Sequence, residues 1–351
     1  MRRLFSGVLF VLSASAAQAQ TVAVARDSSA RRECIVNRTE PGARVAGLYV
    51  FDALRNRHVV YGGVLSSCDR TVDPTDADPR TYVRSGERWS VASTTGPRSR
   101  DEVASAYDSR DGSIIFFGGR GQDTARDTRG LPKRIPFRET WRFDGTRWHL
   151  VDTLGPESRT GAQAAFDPDR GRFVLFGGVV GNGGGRDAVY TSDTWEFDGT
   201  SWKRFDVPAP VGRTGHVMAY DPVAKTVVMH GGVRSVDGGI PLTDTWSWNG
   251  TRWRLLTMEG PRTIFGAATT ALDSGIVIFG GHRMDGNVTE TWHWNGLRWQ
   301  AIATGGPPAR SFNHMTTDHR GKRIYMMGGM DSGVLADLWV LDERRVWRKV
   351  Y

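Results

Sequence analysis

The stretch that decides the fold runs from Arg213 to Trp253 and reads RTGHVMAYDPVAKTVVMHGGVRSVDGGIPLTDTWSWNGTRW. Its apolar residues occur in short runs of strand length. Asp-Pro, Gly-Gly and Asn-Gly separate these runs and are typical of turns. The pattern predicts four short antiparallel strands. One such sheet cannot cover its own faces, so the stretch needs neighbours of the same kind.

The chain repeats this pattern six times, at a mean spacing of about 53 residues. Each copy contains a glycine pair: Gly62-Gly63, Gly118-Gly119, Gly177-Gly178, Gly231-Gly232, Gly280-Gly281 and Gly328-Gly329. Eighteen residues before the pairs stand Arg44, Arg100, Arg159, Arg213, Arg262 and Arg310. An aspartate stands ten residues before the pair in every copy except the fifth, which has Thr270, and the first halves align without a gap. This constant register indicates radial repetition of four-stranded blades.

An aromatic couple follows each glycine pair. The couples are Tyr82/Trp89, Trp141/Trp148, Trp195/Trp202, Trp246/Trp253, Trp292/Trp299 and Trp339/Trp347. Large aromatic side chains bury much surface where two blades meet, so we expect them to fill the wedge between adjacent blades. The alternative is a row of tryptophans that binds sugar rings by stacking.

From Arg44 to Val350 the sequence resembles the Kelch family, whose repeat combines an early arginine, a glycine pair, an acidic residue and a late tryptophan. The resemblance implies an all-β fold, a six-bladed β-propeller of four-stranded antiparallel Kelch blades, similar in propeller type to galactose oxidase. The blades are expected at about residues 44–96, 97–155, 156–209, 210–259, 260–306 and 307–351. Two features depart from the family: its histidine three residues after the arginine occurs only as His216, and the sixth copy has one extra residue between its aromatics.

The N-terminus has the three parts of a secretory signal peptide over residues 1–19: Arg2-Arg3, an apolar run from Leu4 to Leu12, and Ala17-Gln18-Ala19. The paired arginines fit an ordinary or a twin-arginine signal. Residues 20–43 form an N-terminal segment whose part in ring closure stays open. No other apolar run reaches the roughly 20 residues of a spanning helix, so the sequence predicts a secreted or periplasmic monomer without a membrane anchor.

Cys34 and Cys68 both lie near the first blade. In an oxidising compartment an even number of cysteines predicts one disulfide, which here ties the N-terminal segment to the propeller. A reactive or metal-binding pair is the alternative.

The formal charge is +8, because 41 arginines and five lysines outnumber 38 acidic residues, and the basic residues are spread over every repeat. This spread, without the signature of a nucleic-acid-binding fold, argues against a nucleic-acid partner. A basic surface attracts anions in general, so acidic glycans remain candidate ligands.

Strand direction places the repeat arginines and glycine pairs at one face, here called the Arg face. The Asp-Pro and Asn-Gly turns lie at the opposite face, here called the turn face. The loops after the glycine pairs are long in blades 2 to 4, at residues 120–138, 179–192 and 233–243. Binding residues concentrate on variable loops held by a rigid scaffold, so the Arg face is expected to carry the function.

The six repeat arginines allow two interpretations. With His216 and His314 they would form a ring that binds an anionic ligand around the central channel. Alternatively, each arginine crosses the glycine pair and forms a structural ion pair with the acid before the third strand. These acids are Glu139, Asp193, Asp244, Glu290 and Asp337. Blade 1 has Arg80 at that position, so Arg44 is expected to be the unpaired arginine.

Three histidines from neighbouring blades, His216, His282 and His314, are expected near the Arg face. Three imidazoles would suffice for a metal site, and isolated loop histidines are the alternative. We predict no metal and no cofactor, because loop histidines are usually solvated or hydrogen-bonded and the sequence shows no copper constellation like that of galactose oxidase.

The resulting hypothesis is a binding protein that recognises a glycan, an envelope component or a protein partner through the Arg face. The alternative is a carbohydrate-active enzyme that resembles the periplasmic Kelch sialic-acid epimerases. Its acid and base would come from Glu139 or Glu290, with Arg44 or Arg100 beside them. No catalytic triad or nucleophile motif supports the enzyme.

Overall fold

Each copy of the repeat forms its own four-stranded antiparallel sheet, and the six sheets form the blades of a β-propeller. The computed structural model describes residues 40–65, 78–126, 132–181, 188–234, 241–262, 265–303 and 305–351. The expected signal peptide, residues 20–39 and the expected disulfide between Cys34 and Cys68 lie outside these residues. Within them, no helix is long and apolar enough to cross a membrane.

The strands of each blade follow the chain from the inner edge of the sheet outwards. Blades 1 and 2 comprise Leu48–Asp52, Arg57–Tyr61, Thr81–Ser85 and Arg88–Ser93, then Ala104–Asp108, Ser113–Phe117, Thr140–Phe143 and Trp148–Asp152. Blades 3 and 4 comprise Gln163–Asp167, Arg172–Phe176, Thr194–Phe197 and Trp202–Phe205, then Val217–Asp221, Thr226–His230, Thr245–Trp248 and Trp253–Thr257. Blades 5 and 6 comprise Ala268–Leu272, Gly275–Phe279, Thr291–Trp294 and Trp299–Ala303, then His314–Asp318, Arg323–Met327, Leu338–Leu341 and Trp347–Lys349.

Short extra strands extend the loops of the Arg face. They are Arg44–Val45 with Val64–Leu65, Arg100–Asp101 with Arg120–Arg126 and Pro132–Pro136, Arg159–Thr160 with Val179–Val180 and Val189–Tyr190, and His282–Arg283 with Gly286–Asn287. The long loop of blade 2 therefore contains a hairpin, which the sequence did not indicate.

The second strand of each blade is buried on both faces. In blade 3, residues 173–176 have no exposed surface. Alternate side chains of this strand enter different cores, because Phe173 packs with Phe117 of blade 2 whereas Phe176 packs with Met229 of blade 4. A strand covered by neighbours on both sides requires a continuous apolar run, which is what the sequence has at these positions.

The second aromatic residue of each couple lies at the boundary with the preceding blade. There its indole N–H donates to the threonine that begins the third strand of that blade. The bonds join Trp148 to Thr81 (2.7 Å), Trp202 to Thr140 (2.9 Å), Trp253 to Thr194 (2.8 Å), Trp299 to Thr245 (2.9 Å) and Trp347 to Thr291 (3.0 Å). These tryptophans fill the wedge between blades, as the sequence indicated. Trp148, Trp253, Trp299 and Trp347 are buried and offer no open face for a stacked sugar, whereas Trp202 is half-buried.

Among the described residues, blades 1 and 6 each contain four consecutive strands, and no strand is exchanged where the ring closes between them. Leu338 stands where the other blades have the accepting threonine, and Trp89 donates instead to the hydroxyl of Tyr351 (3.1 Å). In the segments before the first strands of blades 1 and 6, the backbone N–H of Ala46 donates to the carbonyl of Phe312 (3.2 Å). Closure therefore depends on loop and side-chain contacts between the first and last blades.

Blade 5 departs from the register that the sequence suggests. Its first hairpin has two residues in the turn, Asp273 and Ser274, where the other blades have four. The interpretation that the first halves align without a gap was therefore wrong. Side chains alternate with a period of two, so a two-residue shift leaves the alternation in the sequence unchanged and conceals the deletion. As a result, Arg262 lies two residues further from its sheet than the other repeat arginines do, and its side chain is exposed.

Candidate functional site

Four repeat arginines are buried in ion pairs at the Arg face. They are Arg100 with Glu139 (2.7 Å), Arg159 with Asp193 (2.6 Å), Arg213 with Asp244 (2.7 Å) and Arg310 with Asp337 (2.6 Å). Each of these arginines also donates to the carbonyl of the first glycine of its pair. None of the four is more than 3% exposed. Their charges and donors are thus satisfied within the protein.

The acids of these pairs are held in the ionised form. Burial alone would raise the pKa of Glu139, Asp193, Asp244 and Asp337, but hydrogen bonds from the arginine and from a tryptophan two residues later lower it. A carboxylate held in this way is a poor proton donor. Glu139 is therefore badly placed for the acid or base role that the enzyme alternative assigns to it.

The first glycine of each pair also contacts the backbone of the next blade. A Cβ at Gly118 would lie 2.9 Å from the carbonyl oxygen of Arg159, and one at Gly328 would lie 2.7 Å from that of Arg44. Both glycines have a positive φ, of 70° and 68°. Only glycine combines this backbone conformation with so close an approach. The glycine pairs thus serve the packing of blade against blade, including the closure of the ring.

The expectation that Arg44 lacks a partner was wrong. Asp78 lies 3.7 Å from Arg44 and also accepts a hydrogen bond from Arg80 (2.8 Å). The hydroxyl of Tyr82 donates to the same carboxylate (2.7 Å), in the role that tryptophan has in the other blades. Blade 1 therefore keeps the contact between arginine and acid, with the acid supplied from two residues earlier in the chain.

Blade 5 keeps its acid but pairs it with another arginine. Glu290 is paired with Arg283, which follows the glycine pair, and accepts a further hydrogen bond from Trp292 (2.8 Å). Arg283 also donates to the backbone carbonyl of Arg262 (3.1 Å). The two-residue deletion in the hairpin displaces Arg262 from the position that its counterparts occupy, and Arg283 takes its place.

A cavity of about 730 Å³ runs along the propeller axis between the first strands. Much of its wall consists of small uncharged residues such as Ala106, Ala164, Ala219 and Ala271. Its Arg-face end, here called the mouth, is bordered by Glu102, Arg120, Phe265 and Phe312, among others. Asp273, His319 and Arg320 border the turn-face end. Pockets of this size accommodate small ligands.

Three non-glycine residues beside the cavity have a left-handed backbone. Ala46 and Glu102 have a φ of 53° and Phe312 a φ of 55°, at the position where blades 3 and 4 have Gly161 and Gly215. A bulky residue rarely adopts this left-handed conformation, which costs about 1–2 kcal/mol. Such strain persists where the surrounding structure imposes it, and it is concentrated at functional sites.

The carboxylate of Glu102 is held by two neighbours. Arg120 donates to one oxygen (3.3 Å), and the hydroxyl of Thr160 contacts the other. Asp101, the preceding residue, is paired with Arg134. The acids and arginines on this side of the mouth therefore balance in charge.

Four side chains that line the cavity have buried polar atoms without a hydrogen-bond partner among the described residues. These atoms are Nε of Arg120, a ring nitrogen of His216, both amide atoms of Asn313, and Nε2 of His314. His216 and Asn313 are 2% and 3% exposed and occupy the same position of the repeat. Burial lowers the pKa of His216 to about 3 and that of His314 to about 4. Both imidazoles are therefore neutral at pH 7.

The third histidine of the expected set has another environment. His282 stacks on Phe265 with 5.0 Å between ring centroids, and its Nδ1 hydrogen-bonds Oδ1 of Asn287 (3.0 Å). Within the described ranges, no group of three or more His, Cys, Asp or Glu side chains is placed to hold a metal. The structure thus places His216 and His314 beside the cavity, and His282 behind an aromatic residue of the mouth.

Glu102, Phe312 and Asn313 were not among the residues that the sequence singled out. When the repeats are aligned on their glycine pairs, all three residues differ from what other copies have at the same position. Glu102 and Phe312 stand at a position that is glycine in blades 3 and 4, and Asn313 stands at the position of His216. Polar or bulky residues at positions that are otherwise small mark the copies that have a specialised surface.

We expect the protein to lose stability as the pH falls below about 6.5. Burial lowers the folded-state pKa to about 4 for His58, His230 and His314 and to about 3 for His216, from a usual 6.5. The unfolded chain therefore binds these protons first, and the stability present above pH 6.5 is lost progressively towards pH 4. Thermal denaturation at pH 7, 6 and 5 measures this slope.

A pair of variants shows whether the buried imidazoles cause this slope. His216→Leu should make the melting temperature less sensitive to pH, whereas His319→Ala, at an exposed residue, should leave the sensitivity unchanged. A wild-type melting temperature that is constant between pH 7 and pH 5 would contradict the expectation.

Comparison with known proteins supports the architecture. Residues 183–351 match the model of the KLHDC2/KLHL20/DRC7 Kelch-repeats domain. Among solved structures, the chain is similar to one titled "Structure of YjhT", with a TM-score of 0.66 and 13% identity over 89% of this chain and 98% of that chain. At this identity the likeness concerns the fold. No curated protein matches the sequence significantly.

Proposed function

Because this chain is a Kelch-repeat β-propeller, we propose that it functions in binding and holds a ligand or partner at the mouth of its central cavity on the Arg face. Interaction with a protein or ligand is the general role of Kelch propellers. The observation that carries the proposal is the set of buried, unpartnered polar atoms of His216 and Asn313 beside that cavity. A buried polar group without a hydrogen bond destabilises the protein by about 1–3 kcal/mol, and a bound ligand would supply the missing hydrogen bond.

We further propose that the protein is secreted or exported to the periplasm, and that its partner is a glycan, an envelope component or another protein. Residues 1–19 support export through their charged, apolar and small-residue regions. The loops around the mouth include the hairpin formed by Arg120–Arg126 and Pro132–Pro136 in blade 2. Loops of this kind on a rigid scaffold are where binding residues concentrate.

The buried repeat arginines support the binding face without contacting the ligand. Arg100, Arg159, Arg213 and Arg310 hold the loop ends together through buried ion pairs. Direct contact with a ligand then falls to the side chains of the mouth. Arg262, whose side chain is exposed, is the repeat arginine best placed to touch a large partner.

A second candidate is the carbohydrate-active enzyme, of the sialic-acid mutarotase or epimerase type. Glu102 favours it, because this residue has a strained backbone and places a carboxyl group, which can act as an acid or base, at the mouth of the cavity. Nuclear magnetic resonance of a freshly dissolved sugar separates the two functions. Anomer exchange faster with the protein than without it identifies the enzyme, and binding without faster exchange identifies the binding protein.

Replacement of Phe312 by glycine should weaken binding without unfolding the protein. Glycine adopts the observed φ of 55° freely, so the strain is relieved while the aromatic surface of the mouth is removed. Ligands are first identified by thermal shift against sugars and by capture of proteins from the cell envelope. Titration then compares the wild type with the variant, and we expect about a tenfold loss of affinity.

Lys322→Gly is the matched control. Lys322 lies in the same blade with a φ of 49°, but in a turn of the turn face. A loss of affinity in Phe312→Gly alone supports the Arg-face mouth. A loss in Lys322→Gly alone places the site on the turn face, and the absence of any sugar or protein ligand removes the proposed function.

A further inference from the structure

We propose that the ligand of the mouth is a neutral, hydroxyl-rich small molecule, such as an uncharged monosaccharide, bound on the side formed by blades 4 to 6. The inference rests on the proposed function and names its ligand class. It is carried by three features of this sector: unpartnered neutral polar groups, an aromatic surface, and the absence of an unpaired cation in the described lining of the mouth.

The polar groups match hydroxyls. A neutral imidazole has one donor and one acceptor, and the carboxamide of Asn313 has donors on nitrogen and an acceptor on oxygen. A sugar hydroxyl also donates and accepts at the same atom, so it satisfies either kind of group. His216, Asn313 and His314 together offer several such positions beside one cavity. A polyol that reaches these atoms would supply the hydrogen bonds that they lack within the protein.

The aromatic surface lies beside these groups. Phe265 and Phe312 are in contact at the mouth, with 5.5 Å between their ring centroids, and His282 stacks behind Phe265. The N–H of Phe312 donates to the carbonyl of Gly266 (2.7 Å), which helps to hold its left-handed backbone in place. An aromatic face packs well against the C–H face of a sugar ring. No tryptophan is among the described residues that line the cavity, so the pair of phenylalanines provides an aromatic platform at the mouth.

The charges of the mouth disfavour an acidic ligand. Among the described residues that line the cavity, Arg120 and Arg320 carry the positive charges. Arg120 is paired with Glu102, and Arg320 lies at the turn-face end. A carboxylate brought to the mouth would lose its hydration and gain no free cation in return, and this desolvation is costly. An uncharged polyol avoids that cost.

Binding of sugars to the full-length exported protein tests the inference. Titration calorimetry with glucose, galactose, mannose and N-acetylglucosamine is compared with titration of N-acetylneuraminic acid and glucuronic acid. We expect saturable binding of at least one neutral sugar and no binding of the acidic ones. Asn313→Leu should weaken the neutral sugar about tenfold or more, because a ligand hydroxyl then loses its partner.

Stability distinguishes a binding role for Asn313 from a structural one. The amide atoms of Asn313 have no partner among the described residues, so Asn313→Leu should leave the melting temperature unchanged or raise it. His216→Leu tests the neighbouring group in the same way. His319→Ala, at the turn-face end, is the control and should bind the sugar as the wild type does.

Two results overturn the inference while the proposed function stands: an acidic sugar or a protein binds at the mouth and neutral sugars do not, or Asn313→Leu binds the neutral sugar as tightly as the wild type. A melting temperature that falls in Asn313→Leu with unchanged affinity likewise assigns the residue to structure. Failure of every sugar and every protein partner instead removes the proposed function itself.

Discussion

Arg213→Leu should lower the free energy of unfolding by about 3–5 kcal/mol. The Arg213 side chain has no exposed surface, and it makes two hydrogen bonds to Asp244 (2.7 and 2.8 Å) and one to the carbonyl of Gly231 (2.9 Å). Its removal leaves the carboxylate of Asp244 buried without its cation, while the indole of Trp246 still donates to it (2.7 Å). Denaturation by urea, followed by far-ultraviolet circular dichroism, measures the loss.

Arg262→Leu is the matched control, because both arginines stand eighteen residues before a glycine pair. The Arg262 side chain is exposed, so this substitution should change the free energy of unfolding by no more than about 0.5 kcal/mol. The double variant Arg213→Leu/Asp244→Leu should recover part of the loss, since it removes the unpaired carboxylate as well. Equal losses in Arg213→Leu and Arg262→Leu would contradict both the burial of the pair and the register shift of blade 5.

Trp253→Ala should destabilise the propeller by about 3–5 kcal/mol. Trp253 is 7% exposed, lies between blades 3 and 4 against Phe176 and Trp248, and donates to Thr194 (2.8 Å). Truncation opens a cavity at this boundary and leaves the hydroxyl of Thr194 without its donor. Denaturant midpoints of the purified variant and the wild type measure the effect.

Trp89→Ala removes the indole that corresponds to that of Trp253, at the boundary between blades 6 and 1 where the ring closes. Trp89 is half-buried, and its donor bond goes to Tyr351, which is 44% exposed. We expect a loss of about 1–2 kcal/mol, in proportion to the smaller area that this indole covers. A loss as large as that of Trp253→Ala would mean that the closure carries as much of the stability as the other boundaries do.

The fold could be predicted from the sequence because each blade repeats the same local chemistry. The buried second strand, the glycine pair and the two aromatic residues are each required in every copy, so their spacing is visible six times. Prediction failed where one copy differs by an even number of residues. The shortened hairpin of blade 5 preserves the alternation of side chains, and only the paired strands reveal that Arg262 is displaced.

The candidate site was only partly accessible to the sequence. The sequence identified the arginines and the acids as possible partners. The tertiary structure determines which of them form ion pairs. Asp78 reaches Arg44 from two residues earlier than expected, and Arg283 replaces Arg262 at Glu290. A side chain several bonds long can be reached from more than one position of a loop, so spacing alone does not select the partner.

The sequence by itself determined the number of blades, the strands of each, and the face on which the long loops lie, because these follow from periodicity and strand direction. The tertiary structure alone decided which polar groups remain without a partner. The sequence singled out His216 but not Asn313, and both have unpartnered polar atoms because six blades close around an axis and bury them beside its cavity. Burial of a polar atom depends on everything that surrounds it, and that environment comes from residues distant in the chain.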